Sequence, residues 1–550
     1  MPTIRDIIEQ IKAGFYTVPE IQRRFVWRNP QIRELASSIY NYYPIGAIVY
    51  WEIPAKILHD ESLRELFRPL ADGLPLENAR YAIIDGQQRL TSLLLLKKGE
   101  ILISGKKRRI KLYFNPIEEK FELGTRDIQK KPEWFNVTEV LNSTDIYKLI
   151  EDQAEKFGDD SIKNNHKIKE NLIKLEKNFS TYEVPLISAK LSYDDDFLST
   201  FEEISGIFIK LNSTGTRIKL PDLALALLTA RMRKDIGISF RRKFDNLLQE
   251  LEDIGFSLDE AVLIRLYSAI ATGTTRFNEA KKELEKKSGQ EINKFLEETE
   301  RAIKETTKLL QKIGIKSSRF FQSRYLVVPI AYLLYKDVIS IGKIISEEVR
   351  SGITNWLILA SFEKRYTGKL ETDLLNDIKQ IKNGGGVKGL IGNLSRKEIT
   401  LSQLEGDYDY CHLTLLLLLY CKIKTKDWNL EEKPNIKEIS ELDPKELEVH
   451  HIFPEEFLER RNYTEKWDEF GNIVLISKKA NNSLKFKDPQ EYLNKLRNVD
   501  PELLEKHFIP TDNTLWNIDN YENFLKKRIN LIAETLEREF KINVLRRPEE

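Results

Sequence analysis

Apolar and polar positions along this chain of 550 residues change rhythm several times. The N-terminal part mixes short helical and extended periods. Met1 to Lys12 predicts a short helix. Tyr16 to Trp27, with Pro19 and the aromatic pair Phe25 and Trp27, predicts strand and loop. Gln31 to Tyr40 carries Ile32, Leu35, Ala36 and Ile39 at the spacing of one buried helix face, and Pro30 suits its first turn. Ala47 to Trp51 predicts a strand. A second strand, Tyr81 to Ile84, runs through Asp85-Gly86 into a leucine-rich helix. From Asp222 to about Lys424 the period is helical almost throughout, as in Phe244–Leu251, Leu263–Ile270, Phe295–Leu310 and Tyr325–Tyr335. Lys424 to Lys445 breaks that period and predicts a linker. Beyond it, Glu448–Phe453 and Ile473–Ile476 predict two strands. A loop with a short helix, Glu455 to Arg461, separates them, and a helix carrying Asn481 follows. Tyr521 to Phe540 predicts one amphipathic helix with alternating charges, a solvated packing helix.

This pattern predicts an α+β fold, mostly α. A chain this long exceeds one hydrophobic core, and the changes of rhythm place domains at 1–221, 222–424 and 425–550. The apolar runs Leu93–Leu96 and Leu413–Tyr420 fall far short of the roughly 18 residues that span a bilayer. They predict buried helices, and no membrane partner is expected. Met1 to Gln10 is charged and lacks an apolar signal core. With 2 cysteines, Cys411 and Cys421, no disulfide framework is available, which fits a reducing cytoplasm.

Charge narrows the choice of partner surface. Basic residues number 87 and acidic ones 86, so the net charge is +1. Nucleic-acid binding by the whole surface is excluded, and any such contact must be a local patch. Lys106-Lys107-Arg108-Arg109, beside Tyr113 and Phe114, fits a phosphate-backbone contact and a solvated hairpin face equally well. In Phe362-Glu363-Lys364-Arg365-Tyr366 an amphipathic helix end is favoured over a DNA contact. Gly384-Gly385-Gly386 predicts a flexible loop. No GxxxxGK[ST] run is present, so nucleotide hydrolysis, if it occurs, does not use a P-loop.

Two stretches carry candidate chemistry. The chain has 6 histidines, and His450 and His451 are adjacent on a predicted strand. Neighbouring strand residues point to opposite faces, so one can bind a metal while the other faces a substrate. Phosphodiester hydrolysis needs a base within reach of a water and a cation beside the phosphate. A structural zinc site would need four Cys or His ligands, which the cysteine count does not favour. The second stretch is Asp85-Gly86-Gln87-Gln88-Arg89. A strand-to-helix junction offers free N–H groups and a positive dipole end, and Arg89 adds a fork that fits a phosphate.

Glu448-Val449-His450-His451-Ile452-Phe453-Pro454, then Gly471-Asn472-Ile473 and Asn481, resembles an HNH nuclease site, the ββα-metal arrangement. By that resemblance His451 is the general base, and His450 and Asn481 hold one divalent metal. Asn472 orients the base, and Asn482 is the fallback for Asn481. Lys485 and Lys487 would meet DNA beside the metal. Ile84-Asp85-Gly86-Gln87-Gln88-Arg89-Leu90-Thr91, with Gln22-Arg23-Arg24-Phe25-Val26-Trp27 and Ile207–Thr216, resembles the ParB-like (sulfiredoxin-like) domain of modification-dependent restriction proteins. There Asp85, Gly86, Gln87, Gln88, Arg89, Gln22, Arg23, Asn212 and Ser213 line a nucleotide or modified-DNA pocket.

The order of the pieces, ParB-like domain, helical middle and HNH domain, is similar to that of type IV, GmrSD-like restriction endonucleases. The resemblance implies an HNH endonuclease that cuts DNA, modified phage DNA above all, in anti-phage defence. It implies a nucleotide as second partner, with NTPase activity and gating by the N-terminal domain left open. Mg²⁺ or Mn²⁺ is the expected cofactor. His450 stands where many members carry an acidic residue, which turns the preference toward a softer ion. A homodimer suits cutting of both strands. The alternatives are a nucleotide-responsive DNA-binding regulator without cleavage, and an RNA-directed HNH nuclease.

Overall fold

The computed structural model describes residues 1–546 apart from 21, 23, 55–66, 104, 191–219, 340–344, 429–435, 460–466 and 485–487. The chain is mostly helical with small sheets. It gathers into two compact units, Met1–Lys234 and Asp235–Glu550. Most of the helical segment, from Asp235 on, and the two-histidine hairpin fall in the second.

In the first unit, helix α1 (Ile4–Lys12) starts at a capping box formed by Thr3 and Asp6 and buries Ile4, Ile7, Ile8 and Ile11. Strand β1 (Tyr16–Pro19) follows. Helix α2 (Asn29–Tyr40) buries the expected face, Ile32, Leu35, Ala36 and Ile39, with Pro30 in its first turn. Strands β2 (Ile48–Glu52), β3 (Phe67–Pro69) and β4 (Tyr81–Asp85) lead to helix α3 (Gln87–Lys98). An antiparallel hairpin comes next, β5 (Glu100–Ile103) with β6 (Lys106–Arg109). A three-stranded sheet is built from β7 (Leu112–Asn115), β8 (Lys120–Leu123) and β9 (Phe135–Asn136).

The main sheet of this unit has five strands in the order β10-β2-β4-β1-β3, where β10 is Leu186–Ser188. Strand β4 is central, parallel to β1 and antiparallel to β2. Its Ala82, Ile83 and Ile84 are fully buried, as a strand covered on both faces requires. The chain then turns at Gly86, whose φ is +99°, and enters α3. Leu90 and Leu93–Leu96 are buried all round the helix, which explains why that run is unbroken rather than amphipathic. The four basic residues of β6 are exposed.

The second unit begins as a set of packed helices that includes α4 (Gly289–Lys312), α5 (Val327–Leu334), α6 (Glu347–Phe362), α7 (Leu370–Lys382) and α8 (Tyr410–Ile423). The Leu413–Tyr420 run is buried in α8. Among the described residues no helix is long and apolar enough to cross a membrane. Strands β11 (Leu447–His451) and β12 (Ile473–Ser477) pair antiparallel, from Leu447 opposite Ser477 to His451 opposite Ile473. Helix α9 (Lys478–Leu484) follows directly, then α10 (Pro489–Val499) and α11 (Tyr521–Phe540). Ile452, Phe453, Val474, Ile476, Tyr492 and Phe524 share one core.

Two expectations change, the linker and the glycine-rich loop, and two hold. Lys424 to Lys445 is packed where described: Thr425, Trp428 and Ile439 are buried, and Lys426 bridges to Glu438. Trp428 joins the core behind the hairpin. Helix α11 is amphipathic as expected: Tyr521, Phe524, Arg528, Ile532 and Leu536 are buried, while Glu522, Lys526, Lys527 and Glu534 are exposed. Only residues 383–385 form the glycine-rich turn, and a helix restarts at Gly386. The favoured helix end at Phe362–Tyr366 is found, with the helix stopping at Phe362 and Arg365 buried and bidentate with Asp377 at 2.8 and 2.7 Å.

Candidate functional site

The hairpin and α9 form a ββα unit, and it presents the two histidines on opposite faces. His450 is 6 % exposed and lies against the Trp428 and Tyr492 rings, 5.4 and 6.0 Å away between centroids. His450 Nδ1 lies 2.8 Å from Asn481 Oδ1. Asn481 Nδ2 in turn donates to Glu448 Oε2 at 2.8 Å. Glu448 precedes His450 by two, so it shares a strand face with it. The carboxylate can only accept, so it fixes the amide with its oxygen toward the imidazole.

This donor set fits a divalent cation. Neighbouring ligands of an octahedral ion with bonds of about 2.1 Å stand about 3 Å apart, close to the Nδ1–Oδ1 separation. Burial pushes His450 down to about 4, so the ring is neutral at physiological pH, and a metal at Nδ1 would require the ring hydrogen on Nε2. Its Nε2 is buried with no hydrogen-bond partner among the described residues. The ring is therefore held through Nδ1 and by packing. Were His450 and Asn481 to hold an ion, two protein ligands would leave positions open for waters and a phosphate.

His451 faces the other way. Its side chain is 25 % exposed, and Nε2 lies 3.0 Å from Asp468 Oδ1. The Trp467 ring flanks it at 5.4 Å. Asn472 does not spend its amide on the imidazole. Its Oδ1 accepts from Phe453 N at 2.8 Å, and its Nδ2 donates to Phe453 O at 3.0 Å and to Trp467 O at 2.9 Å. The amide therefore ties the residue two beyond His451 to the residue just before Asp468. The Tyr492 hydroxyl donates to Ile452 O, and Ile452 N donates to Asn472 O at 2.9 Å.

The loop that carries Asn472 is itself gripped from below. Arg528 of α11 is fully buried and donates to the carbonyls of Phe470, Gly471, Ile473 and His507, at 3.2, 2.9, 2.7 and 3.3 Å. Burial lowers it to about 10, which leaves it charged at neutral pH. Arg319 of the helical part donates to Leu447 O at 2.9 Å and fixes the start of β11.

Sequence reasoning missed Glu448, Asp468, Trp428 and Arg528. Glu448 had a signal in its two-residue spacing from His450. Arg528 had one in its place on the apolar stripe of α11. Asp468 and Trp428 had none. A different cluster, Asp409, Cys411 and His412, brings three ligand atoms within 4.8 Å of one another. It is a helix cap. Asp409 accepts from Cys411 N, His412 Nδ1 accepts from Asp409 N at 3.0 Å, and His412 Nε2 meets Gln403 O at 2.8 Å. Both ring nitrogens are thereby used.

At the other candidate stretch, Arg89 pairs with Asp85 at 2.8 Å and donates to Ile45 O at 2.7 Å. Gly46 and Gly86 both have positive φ and lie against the guanidinium. A Cβ would come within 2.7 Å of it at Gly46 and 3.3 Å at Gly86. Gln88 is spent on the preceding loop, accepting from Val26 N and Trp27 N and donating to Arg24 O. Gln22, buried, donates to Ile84 O at 3.0 Å and to Ile83 O. Gln87 is 4 % exposed. The structure thus brings Gln22, Asp85, Gly86, Gln87, Gln88 and Arg89 to one strand end. Arg23, Asn212 and Ser213 lie outside the described residues, as do Lys485 and Lys487.

Comparison with known proteins bears on the first unit and on the whole length. A protein of Methanocaldococcus jannaschii described as uncharacterized is 22% identical over 617 aligned residues, covering 96% of this chain and 97% of that protein. Residues 4–229 match the family described as the GmrSD restriction endonuclease, N-terminal domain. That match spans the five-stranded sheet and the Asp85–Arg89 junction. Over those residues the chain is similar to the GmrSD-like type IV restriction family, a likeness that suggests a nuclease role with DNA as partner.

Proposed function

We propose that the chain is a metal-dependent DNA endonuclease of the type IV restriction kind, cutting at the ββα unit. The observation that carries this is the pairing of His450 Nδ1 with Asn481 Oδ1 at 2.8 Å, on the opposite face of the strand from a partly exposed His451. His450 and Asn481 would hold a divalent cation, Mg²⁺, Mn²⁺ or a softer ion. Bound there, the ion neutralises charge on the scissile phosphate and the leaving oxygen. His451 takes the proton of the attacking water. Asn472 keeps the strand end and the following loop in register, so it orients the base through the backbone. Lys485 and Lys487 follow α9 directly and would contact the DNA backbone. Modified phage DNA is the substrate this reading favours, in anti-phage defence. The junction around Asp85 and Arg89 would take a nucleotide or the modified base and gate cutting.

The test is cleavage of modified phage DNA and of matched unmodified DNA. Each is incubated with Mg²⁺, Mn²⁺ or Ni²⁺, with and without nucleoside triphosphate, using wild type and His451→Ala. Wild type is expected to cut and His451→Ala to lose at least about 100-fold in rate. No cutting under any metal or nucleotide sinks the nuclease reading in favour of a binding or sensing role.

A further inference from the structure

Asp468 is a carboxylate placed against the imidazole that the nuclease reading makes the base, and it stands in a loop held from both sides. On one side, Asn472 Nδ2 grips the Trp467 carbonyl while the same amide grips Phe453. On the other, Asp468 O accepts from Tyr408 N at 2.9 Å, and Glu469 Oε2 accepts from Gly406 N at 3.0 Å. The 3.0 Å approach of Asp468 Oδ1 to His451 Nε2 is therefore set by backbone bonds at residues 406–408, 453 and 467, not by a free side chain. The Trp467 ring closes one flank of the imidazole.

We propose that Asp468 is a positioning residue for His451, an inference that rests on the nuclease reading above. A carboxylate can only accept, so it selects the imidazole tautomer with hydrogen on Nε2. Nδ1 is then left with a lone pair. In the hydrolytic step that nitrogen receives one proton of the attacking water as the water oxygen bonds to phosphorus. The bond from phosphorus to the leaving sugar oxygen breaks, and that oxygen takes a proton from solvent. Asp468 keeps its place against Nε2 through this step, held by the backbone bonds on either side of it. Asn472 acts one step further out, because its amide sets the spacing between the strand end that carries the base and the loop that carries the carboxylate. A catalytic His paired with a carboxylate gains both orientation and tautomer from it.

The test uses the full chain with Mn²⁺ and a DNA that wild type cuts. Asp468→Ala should lower kcat about 100-fold, the scale of a general-base contribution. KM for DNA, Mn²⁺ affinity and thermal midpoint should stay within about twofold or a few degrees of wild type. Asp468→Glu should recover part of the loss. A second readout needs no activity. In protein labelled with ¹⁵N-histidine, the His451 signal, identified by its loss in His451→Gln, should report hydrogen on Nε2 in wild type and mixed tautomers in Asp468→Ala. The inference is overturned if Asp468→Ala cuts at the wild-type rate while His451→Ala is dead. It is also overturned if the tautomer is unchanged, or if kcat falls only in proportion to lost metal binding and stability. A His451→Ala protein that cuts like wild type, or a wild type that never cuts, instead overturns the nuclease reading itself and the inference with it.

Discussion

Glu448 would act on a metal at His450 through Asn481. It receives the Asn481 N–H, so its loss frees the amide to turn its nitrogen toward His450. Partners of this kind tune affinity by about 10–100-fold. Titration calorimetry with Mn²⁺ should show Glu448→Ala weaker by that factor, with Glu448→Gln in between; equal affinities would leave the amide fixed by other means. A second residue-level consequence concerns acid. Burial lowers His507 to about 3 and His450 to about 4, against about 6.5 in an unfolded chain. The unfolded chain therefore binds protons that the folded one refuses. Stability from these groups is complete above pH 6.5 and declines as pH falls toward 4 and 3. For metal-free protein the thermal midpoint should drop between pH 6.5 and 4.5, and His507→Gln should shrink that drop. A flat wild-type profile over this range would contradict the burial of both rings.

Helix α11 and the hairpin show what periodicity can and cannot convey. The sequence pattern places α11 at Tyr521 to Phe540, as found. It also locates both strands and the helix with Asn481, because each has a clean period of its own. The burial of Arg528 went unread because Lys526-Lys527-Arg528 looks like a charged surface run. Yet Arg528 follows Phe524 by four and precedes Ile532 by four, on the buried stripe. Asp468 was illegible for another reason. It is one acidic residue in a loop, and only the closure of the hairpin brings it to His451. In the first unit α2, α3 and β4 were legible, while the order of the sheet, with β4 between β2 and β1, follows from pairings that no local pattern encodes. Arg528→Met should cost at least about 3 kcal/mol, since it strands several buried carbonyls at once. Urea unfolding of the second unit would measure it, and a loss under about 1 kcal/mol would mean that water replaces the guanidinium.

For the whole molecule, the two candidate stretches fall in different compact units. The Asp85–Arg89 junction belongs to Met1–Lys234, and the ββα unit to Asp235–Glu550. In the full chain, Arg89→Ala removes the guanidinium held by Asp85 and Ile45 O. It should abolish any effect of nucleotide or of DNA modification on cutting. Mn²⁺ affinity should stay at the wild-type value, because Arg89 makes its contacts within the first unit, with Asp85 and Ile45 O. Altered metal affinity in this variant would show that the two sites are energetically linked.

Trp428 lies well outside the stretch from Leu447 to Leu484 that supplies both histidines and both asparagines, yet its ring is one wall of the His450 pocket. The short ββα stretch is thus not a cassette that can be lifted out and grafted elsewhere. A transplant beginning at Leu447 would carry the ligands but leave His450 open to water. A workable excision would have to start before Thr425 and run through α11, so that it keeps Trp428, Tyr492 and Arg528.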